Sequence, residues 1–230
     1  MSQSPDLLKG IDSKRIATFQ KAAGTALNKY RQYVQSDKIS WTVIASPSEA
    51  WAEKVFPNLP KEKQVEALWD AIFKATRSDL ENPVDAWTKH NDTLHEKVDY
   101  LNAKKYAKLH YTAPGTDLTI ELPKGHLWCG AGSVNEKGEE FMANMPTEEV
   151  FTVPHKDGVN GYVSSTKPLS YGGNIIDNFK ITFENGRITN VEAEQGEEVL
   201  KNLVATDEGS HRLGEVALVP HDSPISNSGL

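Results

Sequence analysis

The chain has 230 residues, 38% of them hydrophobic, with 32 acidic against 25 basic side chains and a net charge of -7. That length admits one large domain or two small ones, and the apolar share suffices for a packed core. The acidic balance, without a long basic stretch, argues against nucleic acid or an anionic membrane surface as partner. No apolar run is long enough to span a bilayer, and residues 1–12 lack the apolar centre of a signal peptide. A single cysteine, Cys129, makes an intrachain disulfide impossible and fits a reducing cytoplasm. In His126-Leu127-Trp128-Cys129-Gly130 it reads as a buried, inert thiol, because reactivity needs an electropositive, partly exposed setting.

In chain order, Asp12 is the predicted N-cap of a helix over roughly residues 14–35. Ile16, Phe19, Ala23, Ala26, Leu27, Tyr30 and Val34 recur at helical spacing as one stripe to be buried. Residues 39–45 form a compact apolar strand that runs into Ser46-Pro47-Ser48-Glu49, a capping box with proline at the first helical position, so a helix is expected over 47–55. Strand, turn and helix are half of a βαβ unit. A helix start after a strand can hold an anion, but no glycine-rich loop accompanies this one, and the structural reading prevails over a nucleotide site.

A third helix is predicted over 61–76, with Val65, Leu68, Trp69, Ile72 and Phe73 on one face. The fourth begins at Asn82-Pro83 and continues to about 103, its Val84, Trp87, Leu94, Val98 and Leu101 stepping by three and four around a polar Asn91. Such a seam docks on the preceding layer or on another subunit, and the spacing does not choose. Trp41, Trp51, Trp69 and Trp87 read as core. His90 and His95 lack the i, i+4 spacing of a helical metal site and read as surface.

From Tyr106 the texture changes. Ala107, Leu109 and Tyr111 alternate with polar residues, Pro114-Gly115 turns the chain, and Leu118, Ile120 and Leu122 alternate again, predicting a hairpin with one wet face. Residues 179–184 and 187–192 flank Asn185-Gly186, the signal for a type I′ hairpin turn. Residues 162–165 and 169–171 are further short strands, Gly172-Gly173 marks a tight turn, and a short helix is expected over 197–204. The fold class is therefore mixed, α/β (α+β), with an α-rich half up to about residue 104 and a β-rich half from 105 to 230.

Two places concentrate acids in apolar surroundings. Glu148 and Glu149 open a short β-type run, and since strand side chains alternate in direction, one faces solvent and the other a cleft. Glu215 interrupts the apolar stretch Leu213-Gly214-Glu215-Val216-Ala217-Leu218-Val219-Pro220, where a carboxylate is costly to bury unless paired or bound to a metal. Most acids are simply solvated surface, so these residues alone do not establish a site.

Asn144-Met145-Pro146-Thr147-Glu148-Glu149-Val150-Phe151-Thr152, residues 155–161, residues 213–220 and Asp222-Ser223-Pro224-Ile225-Ser226 together resemble the thermophilic aminopeptidase family, which includes aminopeptidases T and S and PepS. The resemblance covers essentially the whole chain and is densest from about Gly125 onward. It implies a two-metal centre whose first two ligands are Glu149, the second acid of its pair, and Glu215, shared between the metals and catalytic. The implied cofactors are two divalent ions (zinc, cobalt or magnesium), the substrates peptides, the setting cytoplasmic and the assembly a homodimer. In the family, further histidines and an aspartate complete the centre from a later segment, and an α/β stretch precedes the position of Met1. The chain thus reads as an internal fragment, little active alone. Residues 1–104 would be the end of an α/β N-terminal domain with its long connecting helix, and 105–230 the first part of the catalytic metal-binding domain.

Two divalent metals held roughly 3.5–4 Å apart activate a water and clamp the attacked carbonyl, and carboxylates suit them by neutralising the cations. No His-Glu-x-x-His helix is present, which excludes that group of zinc proteases as a template. His211 and His221 flank Glu215 but are not the ligands the resemblance matches. His155 and Asp157 are candidates for orienting a ligand from behind. The alternative reading is a non-catalytic α/β interaction module that self-associates through its long helix. Last comes a glycosidase using Glu149 and Glu215 as its acid and base, disfavoured by few aromatics in the second half to stack on sugars.

Overall fold

The protein is described by a computed structural model covering residues 7–8, 10–171 and 173–228. Its helical part comprises α1 (Ser13–Ala26), α2 (Asn28–Gln35), a short strand β1 (Val43–Ile44), α3 (Glu49–Val55), α4 (Lys61–Ala75) and the long α5 (Pro83–Lys104). Strands then dominate: β2 (Lys108–Ala113), β3 (Thr116–Glu121), β4 (Cys129–Gly130), β5 (Ser133–Val134), β6 (Glu140–Phe141), β7 (Asn144–Met145), β8 (Val150–Thr152), β9 (Val159–Ser164), β10 (Leu169–Tyr171), β11 (Asn174–Glu184) and β12 (Arg187–Gln195). The last elements are α6 (Glu197–Val204) and β13 (Val216–Leu218). This is the expected mixed class. Two compact units emerge, one drawn from residues up to Glu96 with Gly130–Glu149 and from Val219 on, the other from Lys97–Cys129 and Val150–Leu218.

In the first unit α3 packs on α4 around Ala52 and Leu68, both buried. The buried Gln64 ties the loop between them by donating to the carbonyls of Phe56 and Leu59, each at 3.1 Å, so its amide is satisfied inside. Ser48, not Ser46, caps α3, its hydroxyl accepting from the Trp51 amide at 3.2 Å, and Pro47 lies outside the helix. β1 is shorter than the apolar run 39–45 suggests, because it pairs only with the two residues of β7, in parallel.

The helix expected over 14–35 is broken at Leu27, and its stripe is not a core: Phe19 is 73% exposed, and Leu27 and Tyr30 are also exposed. Helical spacing announces an apolar face, whereas burial needs a second surface, which no described element provides here. On α5 the seam turns inward, with Trp87, Leu94 and Leu101 buried within this chain. Asn91 interrupts it because its side-chain oxygen accepts from the Gly132 amide at 2.7 Å. Those three positions are thus used inside the chain, while Val84 stays 74% exposed, so a continuous apolar seam for self-association through this helix is not supported. Of the four tryptophans read as core, Trp87 is buried, whereas Trp69 is exposed and stacks on Phe73 with ring centres 5.2 Å apart.

The second unit is built on a sheet in the order β10-β11-β9-β3-β2, with β12 also paired to β11. The β2–β3 hairpin buries Leu118 and Ile120 as its alternation predicts. Asn185 and Gly186 have φ of +49° and +77°, the left-handed pair that a type I′ turn demands. Gly186 has a second reason to be glycine, since a Cβ there would stand 1.8 Å from the Lys156 carbonyl oxygen. Gly173 has positive φ between β10 and β11, and Gly172 lies outside the described residues. α6 lays Leu200 and Val204 on Ile176 and Val191, closing the core against the β11–β12 hairpin.

Leu200→Ala should therefore cost about 2–5 kcal/mol, as a large-to-small change in a closed core does, read from the midpoint of chemical unfolding. On the same helix, a hydrogen bond from Lys201 and a second from the Ala193 amide hold the Glu197 carboxyl below its usual range. A lowered folded-state value stabilises above the unfolded-state value and is lost as pH falls through the folded one. Unfolding midpoints measured on acidification should accordingly fall less steeply in Glu197→Gln than in the parent.

Candidate metal-ligand segments

The segment from Asn144 to Glu149 leaves β7 along the wall of a cleft of about 690 Å³ in the first unit. Val43, Ile44, Met145, Val219 and Ile225 supply its apolar walls, and both Glu148 and Glu149 border it. A larger cleft of about 840 Å³ in the same unit borders Val84, His95, Phe141 and Met142 but touches neither motif glutamate, so volume alone does not point to the chemistry.

The paired acids differ in burial. Glu148 is buried, 6% exposed, and its two carboxylate oxygens accept from Arg77 Nη1 at 2.5 Å and Nη2 at 3.0 Å. This bidentate fork satisfies a charge that burial would otherwise make prohibitive. Glu149 is half-buried in the cleft wall. The sequence reading had no partner for the inward acid and missed Arg77. It also placed His90 on the surface, whereas that side chain is only 12% exposed, with Nε2 at 2.7 Å from the Thr147 carbonyl. The available signal was indirect: one of two neighbouring acids entering an apolar run needs a cation. His95 is exposed, as expected.

In the second unit β8 and β13 pair antiparallel, Val216 opposite Thr152 and Leu218 opposite Val150. Glu149 is bonded to the first residue of β8 and Glu215 to the first of β13, so the two motifs enter this ladder from opposite ends. β13 is shorter than the apolar run 213–219, and Glu215 lies outside it, exposed. Its carboxylate therefore carries no burial cost.

The loop after β8 is fastened rather than free. Arg212 pairs with Asp157 at 2.8 Å and donates from the same nitrogen to the carbonyls of Lys156 and Asn185. The His155 amide donates to the Glu121 main-chain carbonyl at 2.7 Å, and the His155 side chain is exposed, with Nδ1 accepting from the Asp157 amide. His211 is half-buried with an Nδ1 that has no hydrogen-bond partner among the described residues, and His221 is exposed. Cys129 is exposed rather than buried, because the two-residue β4 leaves its side chain on the open face.

Among the described residues no three or more His, Cys, Asp or Glu side chains gather as a metal site would require. Glu149 and Glu215 are hard oxygen donors, neither fully buried, and their chemistry fits part of the shell of a divalent cation.

Residues 1–230 match the family described as thermophilic metalloprotease (M29). Aminopeptidase AmpS of Bacillus subtilis (strain 168) is 69% identical over 230 residues, which are all of this chain and 56% of that protein. Aminopeptidase T of Thermus thermophilus is 46% identical over 226 residues, 98% of this chain and 55% of its own length. The solved structure titled wild-type AmpT from Thermus thermophilus superposes with a TM-score of 0.93 at 43% identity, covering the whole chain and 56% of that structure. The chain belongs to the M29 family of thermophilic metalloproteases, and it spans little more than half the length of these relatives.

Arg77→Ala would strand the Glu148 carboxylate in the interior and should destabilise the protein by about 3–5 kcal/mol in urea unfolding. Lys156→Ala, at an exposed side chain, should stay within about 0.5 kcal/mol of the parent.

Proposed function

We propose that this chain carries the first two metal ligands of a dinuclear metallo-aminopeptidase that removes N-terminal residues from peptides. The observation that supports the reading most is that the strands following its two acids pair with each other, β8 with β13, which joins both motifs to one ladder with Glu149 and Glu215 at its opposite ends. Glu149 and Glu215 would hold divalent ions, zinc, cobalt or magnesium, with Glu215 shared between them. Glu148 gives both carboxylate oxygens to Arg77, and Glu149 is the second acid of the pair, the position that the family resemblance assigns to the ligand. When bound, such ions lower the pKa of a water and polarise the scissile carbonyl.

The chain's own contribution is positional. The β8–β13 ladder sets the spacing of the two acid-bearing segments, and the Arg212 tie holds the loop that follows β8. His155 and Asp157 lie on that loop and would orient a ligand from behind. The apolar cleft beside Glu149 suits an extended peptide whose side chains leave water. The relatives are named aminopeptidases, which supports peptides as the substrate class. A cytoplasmic homodimer completes the reading, and no described helix is long and apolar enough to cross a membrane.

The test compares the full chain that its gene encodes with its Glu149→Gln and Glu215→Gln variants. Bound zinc or cobalt should be lost in both. Turnover of aminoacyl-nitroanilides should fall by more than about 100-fold, beyond the 10–100-fold typical of losing an outer partner. Hydrolysis that persists undiminished after chelation would sink the proposal.

A further inference from the structure

Glu148 and Glu149 both border the cleft, and a closed ring of contacts surrounds the two residues before Glu149. Arg77 grips both oxygens of Glu148. Its guanidinium carbon lies 5.5 Å from the Trp87 ring centre, and its Nη2 lies 3.4 Å from His90 Nδ1. A carbonyl only accepts, so the proton of His90 sits on Nε2, which donates to Thr147, and Nδ1 accepts from Arg77. Trp87, one turn before His90 on α5, donates its indole N–H at 2.6 Å to the carbonyl of Thr76, next to Arg77. The rings of Trp87 and His90 meet edge to face, with centres 5.6 Å apart.

The backbone of Arg77 strengthens the case. It ends α4 in the left-handed region, φ +57°, where helices ordinarily use glycine. A residue with a Cβ persists there when its surroundings over-determine it, and such positions cluster at functional sites. Each end of the segment is thereby held, Thr147 by its carbonyl and Glu148 by its carboxylate. With Thr147 and Glu148 both held, the backbone that leads into Glu149 is fixed at the two preceding residues.

We propose that Arg77 and His90 are positioning residues for Glu149. They fix Thr147 and Glu148 so that the neighbouring carboxylate meets a divalent cation already oriented, without first losing conformational freedom. The inference rests on the reading of Glu149 as a metal ligand.

The test measures the dissociation constant for cobalt(II) by calorimetric titration of the full chain that its gene encodes. In the double variant Arg77→Met with Glu148→Leu, apolar side chains of similar size replace the ion pair, a change that buried pairs often tolerate without loss of stability. It should melt cooperatively and bind cobalt roughly 10–100-fold more weakly. His90→Leu, which keeps the ion pair, should weaken binding in the same direction. His90→Gln, which returns an N–H toward the Thr147 carbonyl, should recover part of the loss. A folded double variant with the parent affinity overturns the proposal. Should the double variant fail to fold, His90→Leu decides, and unchanged affinity there overturns it equally. Glu149→Gln separates the two ideas: cobalt affinity retained in that variant defeats the ligand reading and this inference together. Affinity lost there but kept in the double and His90 variants defeats the positioning role alone.

Discussion

A carboxylate that is almost wholly removed from water has to meet a cation, and in this protein the burial of Glu148 organises what surrounds it. Arg77 supplies the charge from the end of α4, and Trp87 and His90 supply a shelf for the guanidinium from α5. The end of α4 and the first half of α5 are thereby joined at one point to the acid pair, 71 residues on from Arg77. Replacing both partners with apolar groups would often be neutral for stability, so stability is a weak reason for the pair to exist. Orientation is the stronger reason, because an apolar contact can slide whereas a two-pronged guanidinium fork cannot without breaking a hydrogen bond.

The second unit solves a different problem. A sheet with a long twisted hairpin, β11–β12, must support loops without leaving them loose. It does so by close backbone approach, as where Gly186 lets its turn sit against the Lys156 carbonyl and donate its amide to Val159 at 2.8 Å. Arg212 then draws the turns at 156–157 and 185 together through one guanidinium nitrogen. The motif between His155 and Gly161 owes part of its residue pattern to this packing. A Cβ on Gly161 would meet the Asp117 carbonyl at 2.1 Å, so that glycine is explained by sterics without reference to chemistry.

Much of the fold was legible along the chain. Long periodic segments such as α4 and α5, the Asn185-Gly186 hairpin and the 197–204 helix follow from local spacing and turn chemistry, which act over a few residues. Where reading failed, the missing information was non-local. The stripe of α1 and α2 has helical spacing but no described layer over it, and Cys129 stands on an open face. His90 looked like surface because its partners, Arg77 and Thr147, are unknowable from its own helix. The resemblance carried by the acid motifs pointed to the family that the full-length match shows, but it held no account of Arg77.

By itself the sequence determined the class of fold, most helices and hairpins, and the family, because each is written in short-range periodicity or in contiguous motifs. Only the tertiary structure decided that Glu148 is committed to an ion pair with Arg77, that the strands following the two acids share one ladder, and which apolar faces are covered. Those outcomes depend on charges and surfaces that meet across long sequence separations. A buried charge is settled by whichever cation the folded chain delivers to it, and nothing in its neighbours along the chain names that cation.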